Sequence, residues 1–217
     1  MASSDDGVVA SRGDGVPLRG LLVDWGGVMT SNMFETFAGF CTREGLSPDI
    51  VAKQLRNDPA SRELLVGLET GALPEDQFEV AFAEILGVPA PGLIDRMFAD
   101  GRLDEPMQRA VRKARGHGIR TGLLSNSWGT RRYDRALLAE LFDAVVISGE
   151  VGMRKPTPEI YTLAAERIGL EPAQCVFVDD LRFNLDPAAE LGMTTILHRD
   201  SEQTIAELER RFGVDLG

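Results

Sequence analysis

Five short apolar runs punctuate the chain, and each stops at a polar residue or a turn. Gly20-Leu21-Leu22-Val23 ends at Asp24, residues 119–124 end at Ser125-Asn126, and Ala144-Val145-Val146-Ile147 ends at Ser148-Gly149. Cys175-Val176-Phe177-Val178 ends at Asp179-Asp180, and Thr194-Thr195-Ile196-Leu197 ends at His198. Their hydrophobicity is continuous rather than alternating, which predicts strands buried on both faces. Helical patterns over 105–116, 131–141, 158–169 and 187–192 separate the later runs. Strand and helix in alternation predict an α/β fold, a Rossmann-like three-layer sandwich around a parallel sheet.

One interval breaks the alternation. Between Asp24 and Ile119 nothing reads as a strand, and Phe78, Ala81, Phe82 and Ile85 fall at i, i+3, i+4, i+7, one face of a helix. Leu64, Leu65 and Leu68 form a shorter face, while Ser47-Pro48 and Leu73-Pro74-Glu75 supply helix starts. The expectation is a helical cap, 32–100, inserted after the first strand of a core built from 18–31 and 101–217. Residues 1–17, rich in Ser, Asp and Gly, read as a flexible tail, and Arg12-Gly13-Asp14 within it reads as a chance triplet.

Composition narrows the partners. The chain has 217 residues, room for one sizeable domain with an insertion. Its 23 Lys and Arg against 34 Asp and Glu give a formal charge of −11, which argues against nucleic acid and anionic membranes. No apolar stretch approaches the roughly 18 residues that span a bilayer, and the acidic start of the chain does not resemble a signal peptide. Two cysteines, Cys41 and Cys175, are too few for a disulfide framework and read as reduced thiols of a cytoplasmic protein.

Ligands of an open parallel sheet bind beyond the carboxyl ends of its strands. The residues placed there are Asp24, Ser125-Asn126 and Asp179-Asp180. A carboxylate can act as a covalent nucleophile, and Trp25-Gly26-Gly27 after Asp24 lets backbone N–H groups approach an oxyanion. Three carboxylates in one crevice repel one another unless a hard cation such as Mg²⁺ lies between them. Ser125 and Asn126 offer donors to phosphoryl oxygens. Lys155, ahead of Pro156, is a point cation for the nucleophile and the transferring group.

These segments resemble the four motifs of the haloacid dehalogenase-like hydrolases. Residues 20–28, through Asp24-Trp25-Gly26-Gly27, are similar to the first, and Leu123-Leu124-Ser125-Asn126-Ser127 to the second. Arg154-Lys155-Pro156 through Tyr161 is similar to the third, and Val176-Phe177-Val178-Asp179-Asp180 with Asn184 to the fourth. All four stand in order over 20–200, and the stretch from Val151 to Met193 most resembles the N-terminal phosphatase domains of soluble epoxide hydrolases. The resemblance implies a Mg²⁺-dependent phosphatase of small phosphate esters acting through an aspartyl-phosphate on Asp24. It makes Asp24, Asp180 and the Gly26 carbonyl metal ligands, with Asp179 a further ligand or a support for them. It makes Lys155 a catalytic cation and gives Trp25, Gly26, Ser125, Asn126 and Lys155 to the phosphoryl group. Asn184 matches a side chain near the metal.

The departure is Gly26, where family phosphatases usually carry the Asp that protonates the leaving group. A positioned acid–base group is worth roughly 10²- to 10⁴-fold, so esters with poor leaving groups should suffer most. Two other readings stay open: a HAD-fold binding or regulatory protein with weak or lost catalysis, and a 2-haloacid dehalogenase. Against the latter, the Asp179-Asp180 pair points to a metal that the dehalogenase branch does without. Other residues carry plainer expectations. Asp186 reads as a helix N-cap before Pro187, and Thr157 likewise before Pro158. Trp128 and Tyr133 read as packing under the cap as readily as pocket walls. His117 reads as an exposed turn, His198 as a residue beside the last strand, and Arg210-Arg211 as a solvated helix face.

Overall fold

The computed structural model describes residues 16–217, so the expected tail lies almost wholly outside the described residues. β1 (Gly20–Val23) leads into five helices, α1 (Met33–Arg43), α2 (Ile50–Asn57), α3 (Pro59–Glu69), α4 (Glu75–Leu86) and α5 (Leu93–Met97). The chain continues through α6 (Glu105–Gly116), β2 (Arg120–Ser125), α7 (Arg135–Leu141), β3 (Ala144–Ile147) and α8 (Ser148–Val151). It ends with α9 (Pro158–Arg167), β4 (Cys175–Asp179), α10 (Arg182–Glu190), β5 (Thr194–Leu197) and α11 (Ser201–Phe212). The strands form one five-stranded sheet in the order β3-β2-β1-β4-β5, every pairing parallel. This is the α/β Rossmann-like sandwich that the apolar runs predict.

Alternate side chains of a strand point to opposite faces, and both faces of this sheet are covered. Leu21, Val23, Leu123 and Val178 pack with Met107, Val111 and Leu208 from α6 and α11. Leu22, Leu124 and Phe177 pack on the other side with Ile160, Tyr161 and Ala164 of α9. Helices α1–α5 build a separate apolar cluster around Phe37, Phe40, Phe78 and Phe82, which takes in Trp128 from the core side. Among the described residues, no helix is long and apolar enough to cross a membrane.

Two helix starts differ from expectation. α10 begins at Arg182, so Pro187 sits inside it and Asp186 is no N-cap. Asp179 causes this: its Oδ1 accepts from the Leu181 N–H (2.9 Å), and the chain turns into the helix directly after the strand. Pro187 then forgoes one helical hydrogen bond, to the carbonyl of Phe183. α7 starts at Arg135 rather than 131, because the Asp134 carboxylate accepts from Ala136 and Leu137 N–H groups. Thr157 does occupy the N-cap of α9, with Pro158 at the first helical position.

Candidate active site

Strand order brings the carboxylates together. β1 and β4 are neighbours with Val23 opposite Val178, so Asp24 and Asp179 leave the sheet side by side. The Asp24 N–H donates to the Val178 carbonyl (2.9 Å), fixing that register one residue beyond the strand. Carboxylate oxygens of Asp24, Asp179 and Asp180 lie within 4.8 Å of one another.

Lys155 enters from the loop between α8 and α9 and has no exposed surface. Its Nζ lies 2.8 Å from Asp24 Oδ1 and 2.7 Å from Asp179 Oδ2, and 5.4 Å from the centre of the Phe177 ring. Asn126 holds the backbone of that lysine from both sides. Its Oδ1 accepts from the Lys155 N–H (2.8 Å) and its Nδ2 donates to the Lys155 carbonyl (3.0 Å). The Lys155-Pro156 peptide is cis. Asp179 is saturated with donors: besides Lys155 and Leu181, Asn184 Nδ2 reaches its two oxygens at 3.0 and 3.1 Å. Asn184 Oδ1 is buried with no partner.

The oxygens less occupied are those of Asp24 and Asp180. Asp24 Oδ1 accepts from the Trp25 N–H (2.7 Å) and meets Lys155, leaving Oδ2 with no described side chain upon it. Burial, the largest influence on Asp24, raises its pKa to about 8; Asp179 and Asp180 push the same way, and Lys155 opposes them. Burial and then Asp179 raise Asp180 to about 6. Burial alone would lower the Lys155 pKa, but Asp179 and Asp24 hold the ammonium above its ordinary range. One ammonium faces three carboxylates, so a hard, oxygen-seeking cation suits this donor set.

The two glycines after Trp25 play different parts. Gly27 has φ +79° and a Cβ there would stand 2.4 Å from Asp180 Oδ2, so only glycine serves. At Gly26 a Cβ would meet nothing nearer than Met33 Sδ at 3.8 Å. The space that a side chain would take is open.

That space belongs to a cavity of about 350 Å³ between the sheet ends and the helical insertion. Ser125 borders it, its Oγ 2.8 Å from the hydroxyl of buried Tyr133. Trp128 borders it too while packing on Phe37, Phe78 and Phe98, with ring centres 5.1, 5.7 and 5.6 Å away. Tyr133 and Trp128 thus join packing to pocket wall. The Tyr133–Ser125 bond is the contact sequence reasoning missed, since the pair stands eight positions apart along irregular chain. Arg132 is another: it bonds Asp95 of α5 (2.7 Å) and ties the insertion to the loop after β2. His198 is not turned to the carboxylates; its Nδ1 bonds Thr204 Oγ1 (2.9 Å) on α11. His117 is an exposed turn residue after α6.

The sequence pattern of the haloacid dehalogenase-like hydrolases matches residues 18–192. The chain belongs to this family. Bifunctional epoxide hydrolase 2 of Sus scrofa is 37% identical over 131 residues, 57% of this hydrolase and 24% of that protein. The HAD chain therefore spans about a quarter of the length of that relative. Glyceraldehyde 3-phosphate phosphatase of Methanopyrus kandleri is 27% identical over 165 residues, 70% of this chain and 69% of its own. A HAD family enzyme of Bacteroides thetaiotaomicron, solved with magnesium and inorganic phosphate, shares the fold. It has a TM-score of 0.62 and 22% identity, over 84% of this chain and 94% of that one.

Proposed function

We propose that this HAD hydrolase is a Mg²⁺-dependent phosphatase of small phosphate esters, acting through an aspartyl-phosphate on Asp24. The observation that carries the reading is Lys155, an ammonium buried without exposure between Asp24 and Asp179. Burying a charge costs several kcal/mol even after relaxation, and here it is spent at the strand ends, where two carboxylates share the ammonium. The phosphatase among its relatives and the magnesium and phosphate held by a structural neighbour agree with this reading.

Asp24, Asp180 and the Gly26 carbonyl would hold the metal, with Asp179 fixing Lys155 and Asn184 fixing Asp179. When bound, Mg²⁺ supplies positive charge that lets Asp24 ionise and the phosphoryl group approach. Asp24 Oδ2, the oxygen free of Lys155, then attacks phosphorus while Lys155 orients the carboxylate through Oδ1. Ser125 Oγ, oriented by Tyr133, and the Gly26 N–H receive phosphoryl oxygens. The Trp25 N–H serves the nucleophile itself, and Asn126 acts on the lysine. The insertion, 32–100, acts as the cap that closes the cavity and selects the ester. Buried, unpaired Cys41 and Cys175 suit a cytoplasmic setting.

The test is phosphate release from acetyl phosphate with Mg²⁺ and with chelator. Release that requires Mg²⁺ is expected. Release that survives chelation would overturn the metal-dependent mechanism, and halide release from 2-chloropropionate without metal would replace it by dehalogenation. Phosphate binding without any turnover would leave a binding protein.

A further inference from the structure

We infer that the ester this site prefers is an aryl phosphate, a monoester whose bridging oxygen is carried by an aromatic ring. The inference rests on the phosphatase reading and adds the leaving group to it. Two independent observations lead there, one about shape and one about protons.

Four aromatic side chains stand in the wall of the cavity, among polar residues and the cations Arg102 and Arg132. Trp25 and Tyr133 form one pair, ring centres 5.9 Å apart at 57°, and Phe98 and Trp128 another, 5.6 Å apart at 66°. Met33 and Leu103 complete the apolar lining, and Leu103 is 48% exposed, so the apolar surface continues to the entrance. Aromatic side chains receive a flat ring in offset and edge contacts that add to area burial. Gly26 adds room for that ring beside the phosphoryl position, since its missing Cβ would touch only Met33 Sδ, at 3.8 Å.

The same wall holds no group able to protonate a leaving oxygen. Among the described residues lining it there is no histidine, and its one carboxylate, Asp95, is held by Arg132 at 2.7 Å. The hydroxyls of Thr30 and Thr36 already donate to the Trp25 and Asn32 carbonyls. Tyr133 is committed to Ser125. A leaving group must therefore depart as an anion. A phenol ionises near pH ~10, as tyrosine does, whereas a simple alkanol is about as weak an acid as water, ~15.7.

The chemistry balances without an enzymic acid. Asp24 Oδ2 bonds to phosphorus, and the P–O bond to the ring breaks with its electron pair leaving on the phenolate. Water then attacks the phosphorus of the aspartyl-phosphate. The P–O bond to Asp24 breaks, the carboxylate is restored, and both protons of the water depart with the phosphate.

The experiment compares kcat/KM on ring-substituted phenyl phosphates of graded phenol acidity, on benzyl phosphate and on acetyl phosphate, all with Mg²⁺. Benzyl phosphate keeps the ring and replaces the phenolic oxygen by an alkyl one; acetyl phosphate keeps a good leaving group and removes the ring. Phenyl phosphate should exceed benzyl phosphate by at least about 100-fold, with rates rising steeply across the phenol series. Gly26→Asp should compress that gap, and Phe98→Leu should lower the phenyl-to-acetyl ratio. Benzyl phosphate turned over as fast as phenyl phosphate, or a series flat in phenol acidity, would overturn the inference and leave the phosphatase reading standing. No release from any ester, acetyl phosphate included, would overturn the phosphatase reading and the inference with it.

Discussion

Two buried clusters meet at the ends of the strands, and they are held by opposite kinds of force. Around Lys155, Asp24 and Asp179 every contact is directed: donors and acceptors stand 2.7–3.1 Å apart, and Asp179 alone receives Lys155, Leu181 and Asn184. Around Trp128 the contacts are rings on rings at 5.1–5.7 Å, with no polar partner for the rings among them. The first arrangement tolerates few residue types, because each changes the charge or leaves a buried group unpaired. The second accepts whatever fills the volume. The charges are thus fixed by direction, and the shape of the cavity by packing.

The sharpest way to break that contrast is at Lys155. Lys155→Met should abolish turnover and destabilise the fold by about 3–5 kcal/mol, because two buried carboxylates lose their shared cation. Asp24→Asn should abolish turnover equally, by more than about 10³-fold, yet shift stability by less than about 1 kcal/mol, since it removes one of three mutually repelling carboxylates. Phosphate release with Mg²⁺ measures the first effect, and urea unfolding in chelator the second. Equal destabilisation by the two variants would show that the cluster is held by volume rather than charge.

At the aromatic cluster the order reverses, with stability affected before chemistry. Trp128→Ala removes the ring that joins the insertion to the core, and should cost about 3 kcal/mol or more. Its effect on turnover should appear first as a raised KM for ring-bearing esters. A loss of less than about 1 kcal/mol in urea unfolding would mean that Trp128 is pocket wall alone.

This difference also explains what the sequence makes legible. Asp24, Ser125 and Asp179 each stand directly after a short apolar run, and a parallel sheet gathers its strand ends, so their convergence is readable in one dimension. Phe78 and Phe82 announce a helix face by spacing, but nothing in spacing says whether a ring such as Phe98 or Trp128 faces core or cavity. The start of α10 is hidden for a related reason: the carboxylate that turns the chain into it is Asp179, the last residue of a strand. Asn126 reads as a donor to phosphate until the fold sets the backbone N–H and carbonyl of Lys155 in front of it.

The seam between the two clusters offers the finest test. Glu69, at the end of α3, is buried with its Oε2 2.5 Å from Arg154 Nε, one residue before the buried Lys155. Burial raises its pKa from 4.5 to about 7, outweighing the attraction of Arg154. The sign follows: the fold favours the protonated form, so this contribution to stability is complete below pH 4.5 and lost as pH rises through about 7. Glu69→Gln fixes the neutral shape and should make the stability profile less steep between about pH 5 and 8, the slopes from Asp24 and Asp180 remaining, with a gain over the parent of about 1 kcal/mol at the alkaline end. Parallel profiles for parent and variant would show that Arg154 keeps Glu69 ionised, and that the seam is bound by direction like the site rather than by burial like the cavity wall.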